Sequence, residues 1–346
     1  MHGGNSYLKK FSIAIIGATG VVGGMLIELL EHRRFPVERL HLLASERSSG
    51  QRFSFRGSYL RVQALEDFDF TGIDIAFFTA GSEISALYVP RATANGAIVV
   101  DNTSKYRLEP NIPLVVPEIN AEQAKRGLQT RIVANPNCST IQMVVALKPI
   151  HDAVGIKRIT VSTYQSVSGA GARALEELAM QTANVLNAKT ITPEVVPIQM
   201  AFNVIPQIGE FQENGFSAEE MKMVQETQKI FDDPNIEINP TCVRVPIFFG
   251  HSLALHVETQ RKIEIADAKR LLTDAPGIEL VDLNSDGGYP TPVTHATGQD
   301  AVFVGRVREL LSSVNGLNLW VVSDNSRKGA ALNSLQIAEE LVQHLH

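Results

Sequence analysis

The chain reads Ser12-Ile13-Ala14-Ile15-Ile16-Gly17-Ala18-Thr19-Gly20-Val21-Val22-Gly23 near its start, and an amphipathic run over 25–31 follows. Residues 12–16 form a short apolar strand, glycines punctuate the turn, and the next run carries apolar residues at helical spacing. A strand, a glycine turn and a helix in this order is the setting in which a dinucleotide's pyrophosphate rests on backbone amides at a helix N-terminus. Glycines at 17, 20 and 23 permit the tight turn and the close approach of those amides. Such turns are common in isolation, so the flanking strand and helix carry the weight.

Further apolar strands are predicted over 40–44, 73–79 and 97–100, each running into a polar loop: Ser45-Glu46-Arg47-Ser48, Ala80-Gly81-Ser82 and Asp101-Asn102. Buried strands that end in polar loops indicate an α/β fold with a parallel, doubly wound sheet of the Rossmann type. Past residue 138 the strand candidates (159–164, 252–259, 301–307 and 317–323) mix apolar and polar residues, with helix candidates over 172–186 and 218–231. That pattern predicts an α+β domain with a mostly antiparallel sheet. The run 330–346 places Leu332, Leu335, Ala338, Leu341, Val342 and Leu345 on one helical face, suited to docking back on the first domain.

The 346 residues suit two domains. Thirty-one basic against 37 acidic side chains give a net charge of −6 with no basic stripe, so no nucleic-acid partner is expected. No apolar run has a membrane helix's length, no signal-peptide pattern opens the chain, and a cytoplasmic protein without membrane association is expected. Two cysteines are too few for a disulfide framework or a thiolate metal site, and no metal is expected. Residues 1–6 read as a loose tail.

One of the two cysteines has a distinctive context: Ala134-Asn135-Pro136-Asn137-Cys138-Ser139-Thr140, followed by a helical run over 141–150. A thiol where a turn becomes a helix meets unpaired N–H groups and the positive end of the peptide dipole, which favour thiolate and can hold an oxyanion. Cys138 is therefore a candidate nucleophile, in a setting that suits a protease-like hydrolase, a redox sensor or a dehydrogenase. Cys242 has no such setting and reads as core. At the end of the second strand, an NAD site usually places an acid for the ribose hydroxyls; here Arg47, with Ser45 and Ser48, suits a 2′-phosphate. NADP(H) is expected, with Glu46 as the opposing sign.

With these motifs in place the chain resembles the aspartate-β-semialdehyde dehydrogenase family from about Phe11 to the C-terminus. The resemblance rests on the glycine turn 17–23 and on Asn135-Pro136-Asn137-Cys138-Ser139-Thr140. It extends through Thr163-Tyr164-Gln165-Ser166-Val167-Ser168-Gly169-Ala170-Gly171, Glu219-Glu220-Met221-Lys222, Arg244-Val245-Pro246 and Gly250-His251-Ser252. It closes with Asp324-Asn325 and Arg327-Lys328-Gly329-Ala330-Ala331-Leu332-Asn333. It implies an NADP-binding domain over 1–137, completed by the C-terminal segment 325–346, and a catalytic and dimerisation domain over 138–324. A homodimer is implied as well.

The implied reaction is NADPH-dependent reductive dephosphorylation of L-4-aspartyl phosphate to L-aspartate 4-semialdehyde, leading toward lysine (through diaminopimelate), threonine, methionine and isoleucine. An acyl phosphate needs a soft nucleophile that leaves a thioester able to accept hydride, a role that Cys138 matches. The proton carrier should titrate near neutrality. His251 matches it by resemblance; His256 and His295 are rivals by residue type. Gln165 matches the residue that orients the substrate, and Asn137 with the Cys138 amide matches an oxyanion site.

Arg244 matches the arginine that grips the substrate carboxylate, Glu219 the acid for its ammonium, and Arg107 with Lys222 the phosphate pair. By spacing alone Glu219 and Lys222 would be a helix-surface ion pair. Implied cofactor contacts are Gly17, Thr19, Gly20, Val21, Val22, Gly23, Ser45, Arg47, Ser48, Gly81, Ser168, Gly169 and Asn325. The segment Ser104-Lys105-Tyr106 before Arg107 departs from the usual pattern. N-acetyl-glutamyl-phosphate reductase is the nearest alternative, but it carries Pro-Gly-Cys at the cysteine and needs no acid for an ammonium. A nucleotide-binding homologue without turnover is the alternative outside enzymes; inactive relatives lose the cysteine or the histidine, and both are present here.

Overall fold

The computed structural model describes residues 9–313 and 315–345; the tail expected over 1–6 lies outside the described residues. The chain divides into two compact units, one holding residues up to Pro136 and from Ala331 onward, the other Asn137–Ala330.

The first unit is built on a seven-stranded sheet in the order β3-β4-β2-β1-β5-β6-β7. Its strands are β1 (Phe11–Ile16), β2 (Val37–Ala44), β3 (Arg52–Phe55), β4 (Ser58–Ala64), β5 (Ile75–Phe78), β6 (Ile98–Asp101) and β7 (Ile132–Ala134). All pairings are parallel except β3 with β4, an antiparallel hairpin at the edge. Strand β1 is central and feeds apolar side chains to both faces, as a strand covered by helices on both sides must. Ile13 and Ile15 join a core cluster with Leu26, Leu29 and Leu30, while Ala14 and Ile16 join one with Phe70, Phe78 and Val89.

The strand order reverses at β1, between β2 and β5, so the glycine turn after Ile16 lies at the topological switch point where such sheets bind ligands. The C-terminal helix Leu332–Val342 belongs to this unit. Leu332, Leu335, Ala338 and Leu341 pack in the cluster of Leu26 and Leu30, and Asn333 Nδ2 donates to Asn135 Oδ1 at 2.7 Å.

The second unit carries a six-stranded sheet in the order β11-β12-β13-β10-β8-β9. The strands are β8 (Ile156–Gln165), β9 (Glu237–Arg244), β10 (His251–Thr259), β11 (Ile278–Leu280), β12 (Val302–Glu309) and β13 (Gly316–Ser323). The three central pairings are antiparallel; β8 with β9 and β11 with β12 are parallel, so the sheet is mixed at both edges. The register places Gln165 opposite Arg244 and His251 opposite Ser323, so three chemically distinctive side chains finish or begin neighbouring strands at one end of the sheet. Segment 325–330 groups with this unit, because the Asn325 carboxamide is bound by Ser166, Ser168 and Gly250.

Candidate functional site

Cys138 opens the helix Cys138–Val154 and is partly exposed, while Ser139 to Leu147 are buried. Asn137 is the N-cap. Its Oδ1 accepts from the amides of Ser139 (3.0 Å) and Thr140 (3.4 Å), satisfying two of the helix's orphan donors. The carboxamide nitrogen donates to Glu219 Oε1 at 2.9 Å, and the main-chain N–H to Glu226 Oε2 at 2.6 Å. The geometry thus gives Asn137 the work of capping the helix and fixing the turn before the thiol.

Gln165, at the end of β8, donates from Nε2 to Ser139 Oγ (2.6 Å) and to Glu219 Oε1 (3.3 Å). Glu219 sits in the first turn of the helix Ala218–Phe231, whose start is set by Ser217 and Glu220 in a reciprocal capping box. Its other oxygen takes Lys222 Nζ at 3.1 Å. Burial is the largest single influence on Glu219 and raises its pKa. The charge of Lys222, the bonds from Asn137 and Lys222, and the Arg244 charge together outweigh burial and hold the carboxyl below its ordinary range. An ionised acid therefore stands beside the cysteine's turn.

Arg244, buried at the end of β9, donates from Nη1 to Ser166 O at 2.7 Å and borders a cavity of about 250 Å³ shared with Ala170, Gln207 and Gly209. His251 begins β10 and is fully buried. Its Nδ1 accepts from the Ser166 amide at 3.0 Å and lies 3.0 Å from Ser166 Oγ; its Nε2 has no hydrogen-bond partner among the described residues. A backbone amide can only donate, so the neutral ring carries its proton on Nε2. Burial first, then the Arg244 charge, push His251 down to about 3 against smaller upward pulls from Glu219 and the Gly250 backbone.

Asn325 Oδ1 accepts from Gly250 N (3.0 Å) and Ser166 Oγ (3.0 Å), and its Nδ2 donates to Ser168 Oγ at 2.8 Å. Two glycines leave room around the working groups. A Cβ on Gly169 would lie 3.2 Å from Arg244 Nη1 and 3.5 Å from His251 Nε2, and one on Gly329 would lie 2.7 Å from the Cys138 Cβ. The second unit thus gathers Asn137, Cys138, Gln165, Ser168, Gly169, Glu219, Lys222, Arg244, His251 and Asn325. His256 lies away from this network, paired with Asn318 beside a cavity lined by Arg306 and Arg308, and the His295 Nδ1 is taken by Thr294 Oγ1 at 2.7 Å. Cys242 is buried, and burial pushes its thiol up strongly.

The remaining predicted residues belong to the first unit. Gly17 adopts φ +90°, and a Cβ on Gly23 would lie 2.2 Å from Gly17 O, so both glycines are required by the turn. The helix Val21–His32 has neither a side-chain cap nor an acid in its first turn, so its start suits a pyrophosphate, and Thr19, Val21 and Val22 are partly exposed around it. Gly20, Ser45, Arg47 and Gly81 are exposed and Ser48 is partly so. Arg107 is buried and donates to the carbonyls of Asn135 and Asn102, both at 2.9 Å. Reading the sequence had assigned nothing to Ser139, Ser166, Glu226 or Gly329. Ser139, Ser166 and Gly329 lie inside the motifs that carry the resemblance, whereas nothing in the sequence singles out Glu226.

The family model described as the semialdehyde dehydrogenase NAD binding domain matches residues 12–127, and the one described as the semialdehyde dehydrogenase dimerisation domain matches residues 147–328. These define the class as a nicotinamide-nucleotide-binding oxidoreductase of two parts. An aspartate-semialdehyde dehydrogenase of Shewanella violacea is 53% identical over 335 residues, 97% of this chain and 98% of the relative; one of Bacillus subtilis is 49% identical over 341 residues, 96% and 98%. The crystal structure of aspartate semialdehyde dehydrogenase II from Vibrio cholerae superposes with a TM-score of 0.95 at 54% identity, covering 97% of this chain and 99% of that one. The chain belongs to the aspartate-semialdehyde dehydrogenase family.

Proposed function

We propose that this protein catalyses the NADPH-dependent reductive dephosphorylation of L-4-aspartyl phosphate to L-aspartate 4-semialdehyde, on the route to lysine, threonine, methionine and isoleucine. The observation that carries the reading is Glu219, an ionised, buried acid bonded to the residue before Cys138, with the Arg244 guanidinium in the same unit. An acid and an arginine around one thiol match an α-amino acid bearing a reactive side-chain acyl group. An N-acetylated substrate has no ammonium for Glu219. The Vibrio cholerae relative has also been solved in complex with ASA.

Cys138 gives its proton to His251 Nε2 and its sulfur attacks the acyl carbon as the carbon–oxygen bond to phosphate breaks; Lys222 of the second unit and Arg107 of the first are the cations proposed to receive the leaving phosphate. The resulting thioester carbonyl is steadied by the Cys138 amide at the positive end of the helix Cys138–Val154, because the Ser139 and Thr140 amides are capped by Asn137, whose carboxamide is committed to that cap and to Glu219. NADPH, when bound by the turn 17–23 with Arg47, Ser45 and Ser48 on the 2′-phosphate, supplies the hydride. His251 Nε2 gives a proton to the thiohemiacetal oxygen and recovers it as the carbon–sulfur bond breaks. Proton exchange at Nε2 requires the other tautomer: Nδ1 gives up the Ser166 amide that it accepts from at rest and donates its proton to Ser166 Oγ, 3.0 Å away. Gln165 orients the acyl group; Ser168, Gly169 and Asn325 in the second unit, and Gly81 in the first, are the residues that would hold the nicotinamide end of the cofactor.

A second copy of the chain is the expected partner, on the sheet face that bears Tyr164, Ala254, His256 and Trp320. Purified protein should reduce NADP in the presence of aspartate semialdehyde and phosphate, and absence of that reduction in folded protein would refute the reading.

A further inference from the structure

Glu226 is almost fully buried, is used by no step above, and bonds the main chain immediately before the nucleophile. On the helix Ala218–Phe231 it follows Glu219 by seven residues and Lys222 by four, so all three share one helical face. Two acids of that face grip a single residue. Glu219 takes the Asn137 side chain at 2.9 Å and Glu226 takes its N–H at 2.6 Å, while Asn137 caps the helix that Cys138 opens. The helix's own N-terminus does not need Glu226, because Ser217 and Glu220 cap it and Glu220 also accepts from Cys242 N at 2.9 Å. Burying an acid is costly unless its bonds repay the loss of water, so the position calls for a role.

We infer that Glu226 is a positioning residue for Cys138: it anchors the main chain of Asn137 while Glu219 exchanges its partners for the substrate ammonium. The inference rests on the proposed roles of Cys138 and Glu219. Glu219 already holds Asn137, Gln165 and Lys222, and an arriving ammonium must share or displace those bonds. With Glu219 as the only tether, each binding event would loosen the cap and move the thiol. A misplacement of about 1 Å at a reacting atom costs on the order of 100-fold in rate. The bond from Glu226 is to the backbone, so it persists whichever partner the Asn137 side chain keeps.

The test compares Glu226→Gln, which keeps an acceptor oxygen at the same reach, with Glu226→Ala, which leaves the Asn137 N–H unpaired. Glu226→Gln should retain kcat within about threefold, whereas Glu226→Ala should lose about 10- to 100-fold in kcat with KM for aspartate semialdehyde within about twofold. Alkylation of Cys138 by iodoacetamide in the free protein, located by peptide mass, should slow about tenfold in Glu226→Ala alone. If the alanine variant does not fold, Glu226→Asp, with its acceptor withdrawn by one methylene, carries the same expectations. Unchanged kcat and alkylation in a folded Glu226→Ala or Glu226→Asp, or a glutamine variant as impaired as alanine, would overturn the assignment. Alkylation requires no turnover, so it tests the role of Glu226 even if the proposed reaction fails.

Discussion

The Ser166 amide donates to His251 Nδ1 at 3.0 Å, which leaves Nε2, the ring nitrogen beside Gly169, to carry the proton of the neutral imidazole. Nitrogen-15 spectra of histidine-labelled protein at neutral pH should therefore show one fully buried histidine protonated at Nε2, absent from His251→Gln. A resonance protonated at Nδ1 in the free protein would contradict the geometry. The same substitution should lower kcat by roughly 10²- to 10⁴-fold, the usual contribution of a placed acid/base.

The depressed His251 pKa has a consequence for stability. Above pH 6.5 neither the folded nor the unfolded histidine is protonated, and its neutral burial costs nothing further. As pH falls from 6.5 toward about 3 the unfolded chain takes up a proton that the folded protein refuses, so stability is lost across that window. At pH 5 the loss is about 2 kcal/mol. His251→Gln should flatten the decline of the urea midpoint between pH 7 and pH 5; parallel declines in the two proteins would refute the shift.

Arg244→Lys replaces a planar fork by a point charge. It should raise KM for aspartate semialdehyde about tenfold or more with a smaller effect on kcat, since a carboxylate held in both ground and transition states contributes uniform binding. An unchanged KM would separate Arg244 from the substrate.

Gly329→Ala would bring a methyl group within 2.7 Å of the Cys138 Cβ, closer than real contacts allow. Displacement of the thiol should cost on the order of 100-fold in kcat while NADPH binding is kept. Wild-type kcat in a folded Gly329→Ala protein would show that the Cys138 position is not critical.

Much of this architecture was legible because it follows from short-range chemistry. The run 12–23 specifies β1, the turn and the helix by residue type alone, and Asn135-Pro136-Asn137 before Cys138 reads as a turn that becomes a helix, although the expected work of Asn137 was an oxyanion site and its N-cap role comes from the structure. The edges were not legible. Strand β9 contains Pro240, a residue that argues against a strand and is tolerated here because β9 is an edge. The β3–β4 hairpin turns on Arg56 and Gly57, both at positive φ, where Asn-Gly would have been the recognisable signal. Strand β7 has three residues, too few for periodicity. In the site, local context suggested the thiol and the family resemblance chose the imidazole among three histidines, but the grips of Glu226 on Asn137 and of Ser166 on His251 join residues 89 and 85 positions apart. Such bonds are set by tertiary packing, which spacing along the chain does not report.

The central claim is that Cys138 carries the acyl group. Protein mixed with L-4-aspartyl phosphate in the absence of NADPH, quenched in acid and digested, should release phosphate and show one aspartyl adduct on the peptide that contains Cys138. Cys138→Ala should show neither adduct nor turnover while still binding NADPH. An adduct on another residue, or aspartate semialdehyde formation by Cys138→Ala, would contradict the account.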